Sequence, residues 1–237
     1  MNESRVLGVD ACSKGWIGVS IGRGGTDAFF ASTIGDLVVI AEVNGGVDVV
    51  AIDIPIGLPD QGRRQADVLA RSAVGPRWQS VFMTPVRSAL LADDHAAAVV
   101  INRRLAGEGI SQQAFGLRTK ILEIDDWIKE NSHAVVEVHP EVSFAVMAQG
   151  PLLSRKKTWA GAEQRRQLLE AADLRLTNEV GRAGEMAAVD DVLDAAAAAW
   201  TARRYVNGQA KSMPGTPEVL TFRTSRAGYR LDLLGWV

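Results

Sequence analysis

The chain has 237 residues, 47% of them hydrophobic and 23% charged, ample for a substantial core in one domain or a domain with a sizeable insertion. No run of about 18 apolar residues occurs, so no membrane span is expected, and the single cysteine, Cys12, excludes an intrachain disulfide framework. A formal net charge of -2 argues against strong nonspecific binding to nucleic acid, while a local basic groove stays compatible with it.

The opening MNESRVLGVD lacks the basic and apolar regions of a signal peptide, which with the lone cysteine predicts a cytoplasmic protein. Residues 5–10, RVLGVD, form a short apolar run ending in Asp10. Two β-like runs, GWIGVSIG and TDAFFAST, flank RGG and predict an antiparallel hairpin. Residues 33–43 have helical spacing with Thr33 as N-cap. The segment VDVVAIDIPIGLP predicts a strand buried on both faces, ending at Asp53 and stopped or bent by Pro55. Residues 60–131 read as mostly helical, with Ser111 capping SQQAFGLRTKILEIDDWIKEN. AVVEV at 134–138 predicts a fifth strand running into HPE. A basic loop and helix follow over 151–183, then the alanine-rich helix of AVDDVLDAAAAAW, then a tail, GYRLDLLGWV, that adds a strand or packs on the surface. This order predicts one α/β domain over 1–237 with a helical insertion at about 60–131.

Three acids stand at strand ends: Asp10, Asp53 and Glu137. Ligands of open α/β sheets sit beyond the carboxyl ends of strands. A lone Asp there also serves as a turn former or cap, and for Asp10 both roles stay open. Asp53 differs in kind, because an unpaired carboxylate inside AIDIPIG is costly and needs a partner, a proton or a metal. Glu137 sits similarly in VVEVHPE. At the alanine-rich helix, Asp190 is read as the N-cap. Asp191 and Asp194, three apart, share a face that continues through Ala195, Ala198 and Ala202. That small-residue face permits a close approach to a sheet, and so to the strand-end acids. Such a cluster repels itself unless hard divalent cations, Mg2+ or Mn2+, supply positive charge to its oxygens. Two such ions about 3.5–4 Å apart serve phosphodiester hydrolysis. His95, His133 and His139 lack zinc-ligand spacing; His139 is read either as a group acting near the cluster or as a loop residue.

The stretches GVDACSKGW, DIPIGLP, GRRQADVLAR, SVFMTPVR, GISQQAF, KILEIDDW, EVHPEVSF, SRKKTWAG and DDVLDAAAAAWTA together resemble the RNase H-like predicted nucleases. More narrowly, they resemble a bacterial domain-of-unknown-function family, over most of the chain. The resemblance implies an RNase H-like mixed five-stranded sheet flanked by helices, with a helical insertion between strands 4 and 5. It also implies divalent metal held by acids from the first strand, the fourth strand and a late helix. Carried over, these are Asp10, Asp53, and a D-x-x-D-A pattern at Asp191, Asp194 and Ala195, similar to that of Holliday-junction resolvases. Glu137 belongs to the family's own EVHPE stretch and is expected to assist catalysis. The expected activity is hydrolysis of a phosphodiester bond by metal-activated water, with Mg2+ or Mn2+ as cofactor and nucleic acid or a smaller phosphoester as partner.

Arg63 and Arg71 are candidates for a phosphate-binding rim, or else part of a solvated helix face, as are Arg64 and Arg77. Lys156 and Lys157 in SRKKT offer point charges for phosphate. Glu141 is a secondary candidate or a helix-start acid after Pro140; Glu123, Asp125 and Asp126 read as members of the cluster or, the favoured reading, as acidic helix surface. Trp16 and Trp78 read as packing or as base-stacking groups. Two further functional readings are an ATP-dependent phosphotransferase of the actin-like branch, with DACSKGW as its phosphate loop, and a noncatalytic module whose acids bind metal for stability.

Overall fold

A computed structural model describes residues 4–176, 180–216, 219–221 and 230–232. Strands β1 (Val6–Cys12), β2 (Gly15–Gly22) and β3 (Gly25–Ala31) form an antiparallel meander with two-residue turns at Ser13-Lys14 and Arg23-Gly24. Helix α1 (Ile34–Glu42) follows, and the Thr33 side chain caps it by accepting the Asp36 N–H at 3.1 Å. β4 (Val49–Ile52) then pairs parallel to β1. The expected helical stretch comprises α2 (Gln65–Ala73), a 3-10 turn (Gly75–Ser80), α3 (Arg87–Leu90), α4 (His95–Ala106), α5 (Gln112–Gly116) and α6 (Arg118–Glu130). β5 (Ala134–Glu137) pairs parallel to β4 and leads to α7 (Pro140–Met147), α8 (Trp159–Ala171), α9 (Gly181–Met186) and α10 (Val189–Val206). The sheet order is β3-β2-β1-β4-β5, the mixed five-stranded, helix-flanked arrangement of an RNase H-like fold. No helix among the described residues is long and apolar enough to cross a membrane.

Some expectations need correction. The segment from Ser111 to Asn131 breaks in two: Leu117 closes α5 by donating to the Gln113 carbonyl at 3.1 Å, beside Gly116, a poor helix former. Asp125 is not surface. It is buried and forked by Arg87 at 2.6 and 2.8 Å, with Lys129 at 2.7 Å. Glu123 accepts the Trp16 indole N–H at 2.9 Å and the Ile34 N–H at 2.8 Å, fastening α6 to β2 and α1. Asp126 is exposed as expected. In the tail, β7 (Arg230–Asp232) pairs with β6 (Val219–Thr221) in a separate two-stranded ladder. The rest of GYRLDLLGWV lies outside the described residues.

Strand alternation sorts the core into two layers. Leu7, Val9, Val50 and Ile52 face α1 and the helices of the insertion, with the fully buried Trp16. Val6, Val19, Val49, Ala51 and Val136 face α10 and α7. Gly8 shares the parity of Val6, and there α10 touches the sheet. A methyl group at Gly8 would lie 2.0 Å from the Ala199 nitrogen and 2.2 Å from the Ala195 oxygen. Ala195 through Ala199 are all buried. The alanine stripe therefore does what its small side chains allow: it lets the helix backbone rest directly on β1.

Candidate metal centre

Asp10 follows Gly8 by two along β1 and so projects toward α10. Asp53 continues the β4 ladder past Ile52, its N–H donating to the Val9 carbonyl at 2.9 Å, which sets it beside Asp10. Gly57 then takes the left-handed conformation, φ 82°, as the chain turns away through DIPIGLP. Asp194 arrives from α10, one residue before the alanines that press on Gly8. Asp10, Asp53 and Asp194 each offer a carboxylate oxygen, and the three oxygens lie within 4.8 Å of one another. They face a cavity of about 650 Å3. Its other walls come from the insertion (Ser80 to Phe82, Gln112, Gln113), the start of α7, and the basic loop.

Burial dominates the electrostatics. It pushes the Asp10 carboxyl well above the usual range, and the charges of Asp53 and Asp194 add to the effect. Asp53 is raised by burial and then by Asp194. Asp194, 1% exposed, is pushed up to about 6 by burial, against the opposing pull of Lys156. Lys156 donates to Asp194 Oδ2, while Asp194 Oδ1 is buried without a hydrogen-bond partner. Burial disfavours the Lys156 ammonium, but Asp194 and Asp10 outweigh it and hold its pKa above the ordinary lysine value. Three hard oxygen donors and an unpartnered buried carboxylate oxygen suit a hard divalent cation.

The other predicted site residues fall in distinct places. Asp190 and Asp191 exchange their expected positions. Helix α10 begins at Val189 with Ala188 as N-cap, so Asp191 is the third helical residue and accepts the Ala188 N–H at 3.2 Å. It lines the cavity from the rim, half-buried, its carboxyl raised by burial. Asp190 is buried, on the Asp194 face, with Lys156 at 3.7 Å and Lys157 at 4.0 Å. Lys156 and Lys157 both line the cavity; Arg63 and Arg71 do not. Arg63 pairs with Glu108 at 2.7 Å. Arg71 donates to the Val81 carbonyl at 2.8 Å and lies over the half-exposed Trp78 ring at 5.5 Å.

Glu137 sits opposite Ile52 in the β4–β5 register, on the sheet face turned away from α10. It does not line the cavity. Its Oε1 takes the Arg64 guanidinium at 2.6 Å and its Oε2 the Ile56 N–H at 2.8 Å. Burial nevertheless pushes it to about 7. Glu137 and Arg64 thus clamp the turn that presents Asp53. Glu141, from the same EVHPE stretch, does line the cavity and pairs with the fully buried Arg165 at 2.6 Å. His139 is buried beside it, accepting the Glu141 N–H on Nδ1 at 3.3 Å with Nε2 near the Ser80 carbonyl. Burial pulls its pKa down to about 4, so the ring is neutral at physiological pH. Arg165 escaped the sequence reading, though its place four residues from both Gly161 and Leu169, on a buried helix face, was a usable signal.

The clamp gives a direct prediction. Arg64→Met strands Glu137 and also removes the partner 3.5 Å from Asp67, and is expected to destabilise the fold by about 3 to 5 kcal/mol in urea unfolding at pH 7.5. The loss should be smaller at pH 5.5, where Glu137 is protonated.

The sheet and the acids gathered from β1, the end of β4 and α10 define an RNase H-like α/β protein with a candidate acidic metal centre. The chain belongs to the family described as "Protein of unknown function (DUF429)", whose model matches residues 8–219. No curated protein and no solved structure matches the chain.

Proposed function

We propose that the protein is a divalent-metal-dependent hydrolase of phosphodiester bonds. The observation that carries this reading is the convergence of Asp10, Asp53 and Asp194 within 4.8 Å on a cavity with two lysines in its wall. Those three carboxylates would hold Mg2+ or Mn2+, with Asp191 at the rim. A divalent ion bound there supplies Lewis-acid polarisation of a phosphoryl oxygen and activation of water. Lys157, largely exposed, and Lys156 offer positive charge to the phosphate oxygens. The neutral His139 ring shapes the wall without adding charge. Gln112 and Gln113 bring amide donors and acceptors from the insertion. A formal net charge of -2, with only two lysines among the acids of the cavity, favours a substrate engaged at one phosphate over one coated along its length.

The test is a substrate panel with Mn2+: single- and double-stranded DNA, RNA, branched DNA, bis-p-nitrophenyl phosphate and ATP. Cleavage of at least one phosphodiester is expected, reduced about 100-fold or more in Asp10→Asn, on the scale of losing one preorganised catalytic group. Metal binding without turnover anywhere on the panel would refute the hydrolase and leave a metal-stabilised binding module. Turnover of ATP alone would point to phosphoryl transfer.

A further inference from the structure

Lys156 already neutralises part of the cluster. Its ammonium donates to Asp194 Oδ2, and Asp190 Oδ2 lies 3.7 Å away, outside the three-acid group. The ammonium therefore has two anionic seats one helical turn apart on α10: one inside the cluster and one toward Lys157. The backbone that carries it is held in place. The Thr158 N–H and hydroxyl both donate to the Arg155 carbonyl, at 3.0 and 2.8 Å. That carbonyl packs so closely on α8 that a methyl group at Gly161 would lie 1.9 Å from it. The Lys156 side chain, by contrast, is about one-third exposed, 34%, so rotation about its own bonds can carry the ammonium between the seats without opening the loop.

We propose that Lys156 is the resident counter-cation of the acidic cluster, and that an entering divalent cation displaces its ammonium from Asp194 toward Asp190. This rests on the metal-binding reading above. Lys156 is then a positioning residue that sets cation affinity: it keeps the three clustered acids tolerable in the cation-free protein and competes with the ion for Asp194. After displacement its charge stands beside Lys157 at the cavity wall.

Two measurements on the full chain test this. The first is calorimetric titration of Mn2+ into wild type, Lys156→Met and Lys157→Met. Lys156→Met is expected to bind Mn2+ about 10-fold or more tightly than wild type, and Lys157→Met within about twofold of it, because only Lys156 contacts a cluster acid. The second uses wild type alone, so it does not depend on a variant folding: reductive methylation read by mass spectrometry with and without Mn2+. Lys156 should react more slowly without the ion than with it, because the bound cation removes the closer of its two ion pairs. If wild type binds Mn2+ while Lys156→Met binds no more tightly, or Lys156 reacts no faster in its presence, the displacement is overturned and the metal site stands. If neither wild type nor Lys156→Met binds Mn2+, the metal-binding reading fails and takes this proposal with it.

Discussion

At pH 7.5 and free of divalent cations, Asp53→Asn is expected to melt at a higher temperature than wild type. Asp10 and Asp194 are buried with the half-buried Asp53 beside them, and their folded pKa values are all raised, Asp194 to about 6, from an ordinary value of about 3.8. Above pH 3.8 the folded chain therefore holds more protons at these sites than the unfolded chain. The derivative of unfolding free energy with pH is then negative: stability from these groups is full below about pH 4 and is lost as pH rises through the folded pKa values. Each unit of raised carboxyl pKa corresponds to about 1.4 kcal/mol. Neutralising Asp53 removes part of that cost and should raise the melting temperature by a few degrees. Mn2+ should invert the order. Wild type gains about 2.7 kcal/mol at a hundredfold excess over Kd, and Asp53→Asn, missing a ligand, gains little. The wild-type increment should also grow from pH 5 to pH 7.5 as the ligands ionise. Thermal unfolding with EDTA and with Mn2+ at several pH values reads all of this. A variant less stable than wild type in EDTA, or one keeping the full Mn2+ shift, would contradict the account.

Gly8→Ala is expected to disable cation binding from a position that touches no cation. The added methyl group would meet the Ala199 nitrogen at 2.0 Å and the Ala195 oxygen at 2.2 Å. Both are backbone atoms, so no side-chain rotation relieves the clash, and α10 must move off β1. Overpacking of this kind costs about 3 kcal/mol or more. The same movement carries Asp194, adjacent to Ala195, away from Asp10, two residues from Gly8. Val6→Ala is the control: it loosens the same layer and costs about 2 kcal/mol as a cavity, but leaves the helix seated on Gly8. Urea unfolding should show both variants destabilised, while Mn2+ titration under folded conditions should show affinity lost in Gly8→Ala alone. Equal Mn2+ affinity in the two variants would mean that the close approach does not position Asp194.

Much of this was legible in the residues, because it depends on local chemistry. An aspartate closing the apolar run VVAID has few inexpensive fates, so Asp53 announced itself. The RGG hairpin turn and the Thr33 cap are written in residues a few positions apart. The alanine stripe signalled a close contact before its partner, Gly8, was identified. Other features hinge on which distant segments meet. Asp190 and Asp191 differ by one residue, about 100° of helix; the helix start at Val189 assigned one to the lysines and the other to the cap. Glu137 and its neighbours lie in a run apolar on both sides, which hides the strand's parity, and only its register with β4 turned it away from α10. Asp125 resembled surface until Arg87, 38 residues away, buried it in an ion pair. Lys156 reaches Asp194 across the same separation. Periodicity and the cost of burying charge are properties of short stretches. The choice of partner for each charge is a property of packing, and packing placed an ammonium among the acids that the sequence had pointed to as a metal site.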